Sequence, residues 1–112
     1  MQIFEQRTDG VITLRLDGRL DASTSQDFKA RVTDLVQAGF VNIVMDMSGV
    51  DFIDSSGIGA LVAALRAATA LGGAIKIAAL QSPVRSIFEL TRMHRIFEIF
   101  GDSAAAAASF AN

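Results

Sequence analysis

The strongest constraint on this chain lies in residues 41–79. VNIVMD, residues 41–46, is dense in β-branched and apolar side chains, as in a strand covered on both faces. Ile58, Leu61, Val62, Leu65 and Ala68 then follow the i, i+3, i+4, i+7 spacing of one helix face. Gly72-Gly73 stops that helix, and AIKIAA, residues 74–79, is strand-like again. Strand, helix, strand at this length is a βαβ unit, with parallel strands and a right-handed crossover. A parallel sheet needs helices to cover it, so the chain belongs to the α/β class.

The flanking segments extend that sheet. Residues 2–7 and 11–17 read as two strands joined through Thr8-Asp9-Gly10, because Asp-Gly tolerates the positive φ of a tight hairpin turn. Ile12, Leu14 and Leu16 alternate with Val11, Thr13, Arg15 and Asp17, the period of a half-buried strand. A helix starts near Ser23 or Thr24, both competent N-caps. It buries Phe28, Val32, Leu35 and Val36 and stops at Gly39. Met47-Ser48-Gly49 is expected to turn the chain after the strand at 41–46. Ser82-Pro83 opens a short helix to about Thr91, with serine as cap and proline at the first helical position. Residues 95–100 form a short closing strand. Asp102 caps a C-terminal helix within 102–112, whose alanine run is helix-prone but expected to bury little and fray. At 112 residues, 51% of them hydrophobic, the chain reads as one domain, 1–112, with a core over about 3–100.

Composition removes several function classes. There is no cysteine, hence no disulfide, thiolate metal site or thiol nucleophile. Net charge is −2, without the basic stripe that a nucleic-acid backbone requires. Arg85, Arg92 and Arg95 lie close together and read as a solvated face, or else as a contact surface for an acidic partner. The first residues lack a basic segment followed by an apolar one, and no apolar run is long enough to span a membrane. The expected location is the cytoplasm. His94 is the single histidine, and the serines of DSSG do not sit in a G-x-S-x-G elbow, so a catalytic triad is disfavoured. Gly57-Ile58-Gly59 is half of a dinucleotide fingerprint, spoiled by Val62 at its third position. Asp46, Asp51 and Asp54 lack the oxygen-rich spacing of a calcium loop. No metal or cofactor is expected.

What remains is FIDSSGIGA, residues 52–60, between strand and helix. Asp54, Ser55 and Ser56 are all good N-cap residues, although a cap requires only one. Gly57 and Gly59 each cost the helix roughly 1 kcal/mol against alanine, and leave its start open to another protein or a phosphate. A helix N-terminus is electropositive and tolerates an anion. A phosphoryl group on a serine there would add a charge of about −1.5 to −2 beside Phe52, Ile53, Ile58 and Leu61. The fold would survive, and an apolar contact made through that surface would not.

These stretches resemble a known family. LDGRLDASTSQDF (16–28) is similar to the L-x-G-x-L-D and following helix of STAS domains. VNIVMDMSGVDFIDSSGIGALVAAL (41–65) is similar to the family's strand, D-S-S/T-G-x-G turn and helix. GGAIKIAALQSPVRSIFELTRMHRIFEIF (72–100) is similar to its last strand, helix and closing segment. Together they resemble a stand-alone bacterial anti-sigma factor antagonist. The resemblance implies a mixed sheet of four or five strands with helices mainly on one face. It implies a non-enzymatic phosphoprotein that works by partner switching in the regulation of transcription. Unphosphorylated, such a protein binds an anti-sigma factor that is also a serine kinase of the GHKL type, and frees the sigma factor. The kinase phosphorylates the first serine after the aspartate, here Ser55, with Ser56 the alternative on chemistry alone. A PP2C-type phosphatase resets it. Asp21, Asp54, Ser56, Gly57 and Ile58 join Ser55 at the implied partner surface. The competing readings are a constitutive adapter in a larger assembly, such as a lipid transporter, a regulator in a non-sigma kinase–phosphatase circuit, and a small serine hydrolase.

Overall fold

The computed structural model describes residues 1–111 of the chain. Strands β1 (Gln2–Thr8) and β2 (Val11–Leu20) form the expected hairpin. Asp9 and Gly10 both have positive φ, at 49° and 80°, and Thr8 pairs with Val11 across the two-residue turn. Helix α1 (Ser25–Gln37) follows, then β3 (Asn42–Ile53), α2 (Ser55–Ala70) and β4 (Ala74–Ala78). Helix α3 (Ser82–Leu90) leads through a short 3₁₀ turn at Met93–Arg95 to β5 (Ile99–Phe100) and α4 (Ser103–Ser109). The five strands lie in the order β1-β2-β3-β4-β5. The first pair is antiparallel and the other three are parallel, so the sheet is mixed.

Side-chain alternation divides the core into two layers. Ile12, Leu14 and Leu16 of β2, Ile43, Met45 and Met47 of β3, and Ile75 and Ile77 of β4 point to one face. There they meet Phe28 and Val32 of α1, Leu61 and Ala64 of α2, and Val84 and Phe88 of α3. On the other face, Val11, Val44 and Ala78 pack under Ala106 of α4. Three helices therefore cover one side and one covers the other.

Four local expectations change. No turn occurs at Met47-Ser48-Gly49; β3 runs unbroken for twelve residues. β2 likewise continues to Leu20, and the two stay paired through bulges near Asp17 and Gly18. Gly49 belongs to this pairing: a Cβ there would lie 2.7 Å from the Leu16 carbonyl oxygen, so the glycine marks close strand approach rather than a bend. Helix α3 takes Gln81, not Ser82, as its N-cap, and its C-cap is Thr91. The closing strand shrinks to two residues because 93–95 wind into the 3₁₀ turn. Finally, α4 is a docked element: Ala106 is fully buried, and Asp102 caps the helix by accepting from the Ala105 N–H at 2.7 Å. Of the C-terminal segment 102–112, Asn112 lies outside the described residues.

Candidate functional site

β2 and β3 end side by side, with Leu20 opposite Ile53. Their parallel course brings the Asp21–Thr24 connection and Asp54, with the first turn of α2 behind it, to the same end of the sheet. Ligands of parallel α/β sheets gather at this carboxyl end of the strands. The Asp54 N–H donates to the Leu20 carbonyl at 3.3 Å, so the second connection is tied to the first through the backbone.

Asp54 ties them again through its side chain. One carboxylate oxygen accepts from the Gly57 N–H at 3.0 Å, which caps α2. The other accepts from the Ala22 N–H at 3.3 Å, in the neighbouring connection. Of the three cap-competent residues, the aspartate is thus the cap. Ser55 and Ser56 occupy the first helical positions, exposed, and among the described residues neither hydroxyl is hydrogen-bonded.

Asp21 organises the other connection. Its carboxylate accepts from the Ser23 hydroxyl at 2.7 Å and the Ser23 N–H at 3.0 Å, and from Arg19 Nε at 3.4 Å. The Ser23 hydroxyl bond, with the Ser23 N–H and Arg19 adding to it against some desolvation, holds the carboxyl below its ordinary pKa of 3.8. Thr24 stands at the N-cap position of α1 without capping it. Its hydroxyl instead accepts from the Asp21 N–H at 3.0 Å and donates to the Arg19 carbonyl at 2.7 Å. The loop is therefore pinned at both ends by its own hydrogen bonds.

Gly57 is buried, not open. A Cβ on it would fall 2.3 Å from the Leu20 carbonyl oxygen and 2.8 Å from Ile53 Cγ1, so α2 can approach the strand ends only because the side chain is missing. Gly59 is exposed with empty space around it. Ile58 is half-buried against the core. The surface presented beside Ser55 and Ser56 is completed by Phe52, 37% exposed, over whose ring Arg19 stacks at 3.8 Å. Sequence reading paired Phe52 with the turn but missed Arg19. Its signal was a position directly before Leu20-Asp21, resolved only by the register Arg19↔Phe52.

The other candidates fall elsewhere. His94 sits on the 3₁₀ turn, its Nδ1 3.5 Å from the Phe88 carbonyl oxygen, and lines a hollow at β5 rather than the end of β3. Asp46 accepts from the Ser48 N–H at 3.0 Å, and Asp51 is exposed. Among the described residues, no group of three or more His, Asp or Glu side chains is placed to hold a metal ion. No helix among them is long and apolar enough to cross a membrane.

A five-stranded mixed sheet, three helices on one face and a DSSG turn capped by its own aspartate, with both serines exposed, together define a small α/β domain. The family model of the STAS domain matches residues 3–106, and the chain belongs to that family. It is similar to the putative anti-sigma factor antagonist BtrV of Bordetella bronchiseptica, 24% identical over 110 residues, covering 98% of this chain and 95% of the relative. It is 25% identical over 107 residues to the anti-sigma F factor antagonist of Paenibacillus polymyxa, covering 95% and 92%. Among solved structures, a putative anti-sigma factor antagonist from Thermotoga maritima superposes with a TM-score of 0.93 at 24% identity, covering 98% and 95%. The unphosphorylated form of the anti-sigma factor antagonist SpoIIAA superposes at 0.75 with 19% identity, covering 98% and 97%. Both show the same fold.

Proposed function

We propose that this chain is an anti-sigma factor antagonist that works by partner switching. With Ser55 unmodified, the surface formed by Asp21, Asp54, Ser55, Ser56, Ile58 and the backbone at Gly57 docks on an anti-sigma factor that is also a GHKL-type serine kinase. The kinase then releases its sigma factor. Phosphorylation of Ser55 ends the docking, and a PP2C-type phosphatase restores it. The chain acts in the cytoplasm, by binding and without catalysis of its own.

One observation carries this reading: the N-cap duty of α2 belongs to Asp54, so Ser55 stands exposed at a helix N-terminus with no structural task. A phosphoryl group there would sit well with the helix dipole and add a charge of about −1.5 to −2 to a docking face already edged by two aspartates. The names of the relatives support the partner class.

The test has two parts. Phosphopeptide mass spectrometry of the protein from growing and stressed cells should find Ser55 modified, with occupancy that follows the condition. Titration against the isolated kinase should give tight binding for wild type and Ser55→Ala, and at least about tenfold weaker binding for Ser55→Asp. Ser56→Ala should remain phosphorylatable. Equal affinity of Ser55→Asp and wild type would sink the proposal.

A further inference from the structure

The arginine group around residue 90 resolves into a site at the far edge of the sheet. Arg85 from α3 and His94 and Arg95 from the 3₁₀ turn line one hollow of about 640 Å³, together with Ile96, Glu98 and Ile99. A smaller hollow of about 300 Å³ shares Arg85, His94 and Ile99. Arg92 lines neither. Among the described residues, neither arginine nor His94 takes part in an ion pair. Glu98, the one acid lining the larger hollow, lies 3.6 Å from Lys76 Nζ. Glu89 lines only the smaller hollow. In a chain of net charge −2, two guanidinium groups that make no ion pair among the described residues line one concavity against a single carboxylate, which leaves a local excess of positive charge.

The two residues of β5, Ile99 and Phe100, line the same hollow. β5 pairs with β4 alone, with Ile77 and Ala79 N–H groups donating to the Glu98 and Phe100 carbonyls. Its outer edge therefore carries unpaired backbone groups, able to accept a further strand. Ile96, 49% exposed, and half-buried Ile99 give that edge apolar seats.

We infer that this groove is a docking surface for an extended, acidic segment of a partner protein. The segment adds to the outer edge of β5 through its backbone, sets apolar side chains on Ile96 and Ile99, and presents carboxylates to Arg85 and Arg95. The contact is separate from the Ser55 turn, so the chain can hold one partner constitutively while switching another.

The test uses the full chain and a fluorescent peptide of alternating glutamate and valine, with a lysine–valine peptide as control. Anisotropy should rise with the acidic peptide only, and its affinity should fall with added salt. Arg85→Glu with Arg95→Glu should weaken binding by about tenfold or more, since each reversal replaces an attraction by a repulsion. Both residues are exposed, and circular dichroism checks that the double variant is folded. Arg66→Glu, exposed on α2 away from the groove, and Ser55→Asp should bind the peptide as wild type does. Methylating alternate backbone amides of the peptide should abolish binding, because the added strand could no longer form its ladder. Equal binding of the acidic and basic peptides, or indifference to the double reversal or to methylation, would overturn the inference. So would full displacement of the peptide by inorganic phosphate at matched ionic strength, which would make the groove a small-anion site.

Discussion

Gly57 and Gly59 stand two positions apart on one helix and obey opposite rules. Gly57 is held against the Leu20 carbonyl, so Gly57→Ala must push α2 off the strand ends, at a cost of about 1–3 kcal/mol. Gly59 meets nothing, so Gly59→Ala should stabilise by up to about 1 kcal/mol through helix propensity. Urea denaturation of the two variants should shift in opposite directions. Asp54 joins cap and bridge in one carboxylate; Asp54→Ala should lose about 1–2 kcal/mol by the same measurement. Asp21 has its pKa depressed in the folded state. The stability this brings is present above 3.8 and is lost as pH falls through the lower folded value. The Ser23 amide resonance should therefore titrate with a midpoint below 3.8, and Ser23→Ala should move the Asp21 midpoint back toward it. An unshifted midpoint in wild type would contradict the hydrogen-bond account.

At the scale of elements, α4 carries more than its alanine sequence suggests. Lys76 is nearly buried beneath it, donating to the Ser109 hydroxyl at 2.7 Å and lying 4.3 Å from the Phe110 ring centre. Removing residues after Asp102 would strip the cover from Val11, Val44 and Ala78 and take the Ser109 hydroxyl and the Phe110 ring from that ammonium, leaving it Glu98. The shortened chain should lose about 2–3 kcal/mol in thermal or chemical unfolding. The expectation that this helix would bury little came from its small side chains. Small side chains are instead what lets it lie close on the sheet, with Ala106 fully buried.

For the whole molecule, the proposed switch at Ser55 is expected to be separable from the fold. Ser55 is exposed, and an acid at the start of α2 is favoured by the dipole. Ser55→Asp should melt within a few degrees of wild type, since a change of about 1 kcal/mol moves a domain of this size by only several degrees. Calorimetry checks this; a large drop would mean that the serine is structural. Much of this was legible beforehand. The hairpin at Asp9-Gly10, the βαβ unit and a helix cap somewhere within Asp54-Ser55-Ser56 all rest on rules acting within a few residues. The continuous β3 was not legible: Ser48-Gly49 looks like a turn in any local window. Only the bulged pairing of β2 with β3 shows that the glycine is there to let two strands meet.

By itself, the sequence determined most of the segments that became strands and helices, and it singled out the DSSG turn. Periodicity, glycine φ and capping chemistry are local properties, written in the order of residues. The tertiary structure decided which of three cap-competent residues does the capping, that Asp54 reaches across to Ala22, that Arg19 lies on Phe52, and that Arg85 and Arg95 share a groove while Arg92 does not. Those facts depend on register and packing between segments distant in the chain, where one residue's place is fixed by another's backbone.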